Sequence, residues 1–156
     1  RVDIRAALPE GQGIWPALWM LGSNFATVGW PASGEIDIME MIGGSGREST
    51  VHGTVHWEND GQRAQFGGQT TLSSGTFHDE FHVFSIEWTA SSITWLLDNQ
   101  QFHVIDTTPA QLSEFRNRFF FIFNVAVGGN WPGSPDGSTT FPQHLIVDYV
   151  RVFSDN

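Results

Sequence analysis

The chain contains no cysteine and no lysine. Without cysteine there are no disulfides, thiolate zinc sites or thiol nucleophiles, but the redox compartment stays open, because many exported proteins also lack cysteine. Without lysine, seven arginines face 17 acidic residues, and the net charge is -10. Such a surface repels a phosphate backbone or an anionic membrane, so neither nucleic acid nor membrane is expected as a partner. Also missing are an apolar run long enough to span a bilayer, a basic segment followed by an apolar one at the start, an internal repeat and a low-complexity stretch. The sequence begins inside what reads as a strand, which suggests a processed or truncated product.

What is present points to one folded domain. At 156 residues a compact chain buries roughly two thirds of its unfolded surface, enough for a core. Charged residues make up 15% and aromatics 13%, with seven tryptophans, which is more indole than a core needs. Tryptophan without basic charge suits neutral, ring-shaped ligands.

Nine segments rich in β-branched and aromatic residues read as strands: Arg1–Leu8, Ile14–Leu21, Glu35–Ile42, Ser49–Trp57, Phe81–Trp88, Ile93–Leu97, Gln101–Ile105, Arg118–Val127 and His144–Phe153. Asp98-Asn99 reads as a hairpin turn, Pro109 to Phe115 as one short helical turn, and Gly67-Gly68 and the stretch 128–137 as loops. Short strands at this spacing predict an all-β antiparallel sandwich or jelly roll.

The stretch GEIDIME, Gly34 to Glu40, sets three acids among apolar residues. In a regular strand Glu35 and Asp37 share a face and Glu40 points away. One extra residue bulged in near Met39 would return Glu40 to their face, and bulges are enriched beside active sites. Two carboxyls so placed, about 5–5.5 Å apart, suit glycoside hydrolysis with retention. Carboxylates crowded in a partly desolvated groove hold a proton among them, which gives one acid and one nucleophile. Three unrelated acids on a solvated face are the alternative.

GEIDIME resembles the Glu-x-Asp-x-x-Glu signature of glycoside hydrolase family 16 in its bulged form. GQGIWPALWML precedes it, and TVHGTVHW, FHVFSIEW, FFIFNVAVGGNWPG and VDYVRVF follow in the family's order. These segments are similar to bacterial endo-β-1,3-glucanases, the laminarinases. The resemblance implies a β-jelly roll of two stacked antiparallel sheets with a substrate cleft along the concave one. It also implies Glu35 as nucleophile, Asp37 as its assistant and Glu40 as acid/base, no catalytic cofactor, and a secreted monomer acting on β-glucan. Family domains begin upstream of RVDIRAALPEG with further strands. The chain is therefore expected to be about the C-terminal two thirds of one domain, and alone it would expose sheet edges.

By strand parity Trp15, Ala17 and Trp19 share a face, either as sugar platforms or as core; the resemblance assigns both indoles to the cleft. His52, Thr54 and His56 share a face and match cleft positions of the family. His56 would hydrogen-bond a sugar or the acid/base, with a structural role as the alternative. His52 and His56 lie roughly 13 Å apart on a strand, too far to share zinc. By resemblance Asn124 and Trp131 sit at the cleft, while Trp88 and Trp95 belong to the core. A cleft role for Arg5 rests on parity alone. Asp148 matches a family position that helps bind a structural calcium, with a surface Asp as the alternative.

Three functions stay open at this stage. They are a retaining endo-β-1,3-glucanase, a family member acting on another β-glycan (mixed-linkage glucan, agar or carrageenan) or by transglycosylation, and a non-catalytic glucan-binding protein. The third is the least expected, because it predicts lost acids and all three are present.

Overall fold

A computed structural model describes residues 1–44 and 46–154. Ten strands dominate these residues: β1 Val2–Ala7, β2 Ile14–Gly22, β3 Glu35–Glu40, β4 Thr50–Asn59, β5 Gln62–Thr71, β6 His82–Trp88, β7 Ser92–Leu97, β8 Gln100–Asp106, β9 Phe119–Val127 and β10 Ile146–Val152. A short helix, α1 (Phe25–Val28), and a 3-10 segment, Ala110–Arg116, complete the described regular structure. The 3-10 segment falls where Pro109 to Phe115 predicted a turn.

The strands pair into two five-stranded antiparallel sheets, ordered β10-β1-β6-β7-β8 and β5-β4-β3-β2-β9. This is the expected all-β sandwich. Apolar side chains on alternate positions face inward: Val2, Ile4 and Ala6 of β1 are buried while Asp3 and Arg5 between them are not. From the first sheet Ile4, Ile86 and Trp95 meet Leu18, Met20, Ile36 and Val55 of the second in one core. Each such large apolar side chain contributes about 1.5–3 kcal/mol by leaving water. Trp95 belongs to this core and Trp88 packs against it, as expected.

Strand β5 departs from the sequence expectation. Gly67-Gly68, read as a loop, lies inside it. A Cβ on Gly68 would come within 2.6 Å of the His103 ring, so the missing side chain is what lets β5 close over β8 at this edge of the sandwich. The β4–β5 hairpin turns at Asp60-Gly61 and the β7–β8 hairpin at Asp98-Asn99, all four in the left-handed conformation of a tight hairpin turn.

At the opposite edge, β9 and β10 close less tightly. Phe121 and Val127 oppose the inward-facing Met20 and Ile14, and Val150 and Val152 oppose Ile4 and Val2. All four are nonetheless exposed, Val127 by 55% and Val152 by 66%. Among the described residues no helix is long and apolar enough to cross a membrane.

Candidate active site

The bulge expected near Met39 is present. Along β3, Asp37 opposes Thr54 and Glu40 opposes His52, so three steps on β3 match two on β4. On the β2 side Met39 opposes Leu18 and Asp37 opposes Trp19, which leaves Ile38 surplus. Ile38 and Met39 are both buried in the core. Alternation is thereby reset, and Glu35, Asp37 and Glu40 all face the solvent side of the second sheet.

Outer-sheet packing holds this strand from behind. The indole N–H of the fully buried Trp95 donates to the backbone carbonyl of Asp37 at 2.8 Å. Gly53 makes room for it, since a Cβ there would overlap the Trp95 ring.

Each acid has its own surroundings. Trp30 donates its indole N–H to Glu35 Oε2 at 2.8 Å, while His56 Nε2 lies 3.6 Å from Glu35 Oε1 and 3.2 Å from Asp37 Oδ2. Glu40 accepts the indole N–H of Trp15 at 3.0 Å. Burial pushes Glu35 above the ordinary carboxylate range, opposed by His56, the Trp30 N–H and Arg63. Burial and then the charge on Glu35 push Asp37 far higher, so the proton these two share rests on Asp37 and faces an ionised Glu35. Burial and then the negative charge that Asp37 shares with Glu35 push Glu40 up to about 8, against the pull of the Trp15 N–H. His56 is pushed down by burial and stays neutral.

A cavity of about 650 Å³ runs from Trp30, Arg63 and His56 past Glu35 and Glu40 to His52 and Trp131. A second, of about 230 Å³, lies on the β9 side between Trp15, Trp19, Asp37 and Asn124. Trp131 stands edge-on to Trp15 at 5.4 Å between ring centres and to His52 at 4.9 Å. Trp19 donates its N–H to Asn124 Oδ1 at 2.8 Å. Trp15, Trp19, His56, Asn124 and Trp131 thus all gather around the three acids.

Arg5 and Asp148 lie elsewhere. Strand β1 belongs to the other sheet, so Arg5 has no place in the cleft, and its guanidinium pairs with Asp148 Oδ2 at 2.7 Å. The pair alone does not make a calcium shell: Asp148 supplies one half-exposed carboxylate, already paired with a guanidinium, whereas Ca²⁺ takes six or more oxygens. Glu35, Asp37 and His56 offer ligand atoms within 4.8 Å of one another. Their spacing follows from the proton sharing described above, and the Arg63 guanidinium 3.4 Å from His56 Nδ1 opposes a cation there.

Trp30 and Arg63 were not anticipated from sequence. Trp30 lies outside any strand, where parity says nothing. Arg63 lies on β5, whose signal was the Asp60-Gly61 turn followed by Arg63, Gln65 and Gln69 on alternate positions.

An ionised carboxylate and a protonated carboxyl on one wall of an aromatic cleft can attack a saturated carbon and protonate its leaving group in one step. Known proteins with similar sequences carry names that suit this chemistry. The chain is 39% identical to the beta-glucanase of Rhodothermus marinus, over 98% of this chain and 56% of that one. It is likewise 39% identical to glucan endo-1,3-beta-glucosidase A1 of Niallia circulans, over 99% of this chain and 24% of that one. Its fold is similar to the catalytic domain of the endo-1,3-beta-glucanase (laminarinase) of Thermotoga petrophila, with a TM-score of 0.85 and 45% identity over 99% of this chain and 63% of that one. The chain spans less than two thirds of the length of each of these three proteins. The family model for glycosyl hydrolases family 16 matches residues 1–151. With that match across both sheets and the whole cleft, the chain belongs to glycosyl hydrolases family 16.

Proposed function

We propose that the protein hydrolyses internal β-1,3-glucosidic bonds of β-glucans with retention of anomeric configuration. The observation that carries this reading is the placement of Glu35 and Glu40 on one strand face, with the Trp30 N–H donating to Glu35 and burial holding Glu40 protonated. Glu35, whose Oε2 accepts the Trp30 indole N–H, attacks the anomeric carbon. Glu40 gives its proton to the departing glycosidic oxygen, and the bond between sugar carbon and that oxygen breaks. A glycosyl ester on Glu35 results. Glu40, now a carboxylate, takes a proton from water; the hydroxide oxygen adds to the anomeric carbon and Glu35 leaves as carboxylate. Asp37 supports Glu35 by holding the shared proton against it, and no step requires a cofactor.

The cavities extend to both sides of the acids, so a polymer can lie across them and be cut internally. Trp19 and Asn124 line the smaller cavity, Trp131 the larger, and Trp15 both. Indole faces against pyranose rings supply apolar contact without charge. The names of the relatives support β-1,3-glucan as substrate. Action on a polymeric substrate supports a secreted protein.

Incubation of the full-length protein with β-1,3-glucan, mixed-linkage glucan, agarose and xyloglucan tests the reading. Oligosaccharides released chiefly from β-1,3-glucan are expected. Products from agarose alone would reassign the substrate, chains longer than the substrate would indicate transglycosylation, and binding without products would indicate a glucan-binding protein.

A further inference from the structure

We propose that Arg63 is a positioning residue for the Glu35 carboxylate, acting through the two rings that flank its two oxygens. The proposal rests on the reading of Glu35 as nucleophile. Trp30 holds Oε2 through its indole N–H, and His56 faces Oε1. Arg63 reaches both rings from β5: its guanidinium carbon lies 5.3 Å from the centre of the Trp30 ring, and its NH2 nitrogen lies 3.4 Å from His56 Nδ1. Trp30 and His56 themselves stand 6.1 Å apart. Cation, indole, imidazole and carboxylate form one connected set, and the same Arg63 nitrogen also donates to Gln65 Oε1 at 2.5 Å, which anchors it along β5.

The consequence concerns the proton on His56. A guanidinium only donates. With Arg63 at Nδ1, that nitrogen is the acceptor, and the imidazole proton sits on Nε2, the nitrogen on the side of Glu35 and Asp37. Asp37 Oδ2 is buried without a hydrogen-bond partner 3.2 Å from Nε2, so a proton on that nitrogen lies beside an unpaired acceptor. Were the proton on Nδ1, it would face a cation, and a lone pair would face the Glu35 carboxylate. The stacking on Trp30 acts in parallel by limiting the swing of the indole that donates to Glu35.

The charges around His56 are Glu35, Asp37 and Glu40 on β3, Glu58 on its own strand opposite Arg63, and Arg63 itself. Arg63 opposes protonation of His56, and Glu35 and Glu40 favour it. Loss of the guanidinium therefore lets His56 gain a proton at higher pH. Arg63 is exposed on an edge strand, so its replacement leaves the core intact.

The test compares the full-length wild type with Arg63→Met and Arg63→Lys, using ¹⁵N-histidine NMR without substrate and kinetics on β-1,3-glucan. In the wild type the His56 proton should reside on Nε2. In Arg63→Met the two tautomers should mix, His56 should titrate at higher pH, and kcat should fall about tenfold with KM little changed, as expected for a displaced reacting group. Arg63→Lys, which keeps the charge but not the planar fork, should bring the titration back toward wild type and recover only part of kcat. A wild-type His56 protonated on Nδ1 would overturn the proposal, as would an Arg63→Met protein with unchanged tautomer and titration. Because the NMR needs no turnover, an expected tautomer in a protein that cleaves no glucan would count against the glucanase reading and leave the role of Arg63 standing.

Discussion

Glu35 and Glu40 face the same cleft because Ile38 has no partner on either neighbouring strand. That single surplus residue turns an odd spacing into a catalytic pair. Replacing either acid by Ala is expected to remove most activity on β-1,3-glucan, by at least about 10³-fold in kcat. Azide should restore turnover only in Glu35→Ala, where a small anion fills the nucleophile's space. Near wild-type turnover in either variant would refute the assignment.

The Glu40 carboxyl should set the alkaline limb of kcat/KM near pH 8, because the free enzyme must hold that proton to act as acid. It also links stability to pH. Burial raises its value from 4.5 to about 8 in the folded state, so between those values the native protein holds a proton that the unfolded chain has released. The contribution is complete below about 4.5 and is lost as pH rises toward 8. Melting curves of Glu40→Gln should therefore fall less steeply with pH than those of the wild type. Parallel curves would show that Glu40 is not held protonated.

Trp19 is half-buried, and its N–H goes to Asn124 across the cleft floor. Trp19→Ala should weaken glucan turnover far more than it lowers Tm, whereas a core tryptophan lost to alanine costs about 3–5 kcal/mol of stability. Large destabilisation with normal kinetics in the folded fraction would return Trp19 to the core.

Trp95 should behave the other way. Trp95→Phe keeps most of the ring but leaves the Asp37 carbonyl without its donor, which should cost about 1–3 kcal/mol of stability. Thermal unfolding measures it, and an unchanged Tm would show that the bond contributes nothing to holding β3.

The strands and the acids were legible in sequence because burial imposes a period of two, and because a break in that period at Met39 is informative in itself. Parity likewise placed Trp15 and Trp19 on one face. It failed where side chains are absent or chain direction is irregular. Gly67-Gly68 looked like a loop because the reason for glycine there is the His103 ring on β8, distant in sequence. Trp30 reaches Glu35 from the connection between α1 and β3, which has no periodicity. Arg5 shared parity with other polar residues, but parity does not say which sheet a strand joins.

The stereochemistry of cleavage tests the central claim most directly. If Glu35 attacks the sugar and Glu40 then delivers water to the same face, the first reducing ends released from β-1,3-glucan keep the β configuration. Proton NMR of those ends, recorded before mutarotation, should show the β-anomer. An initial α-anomer would mean a single displacement by water and would contradict the account.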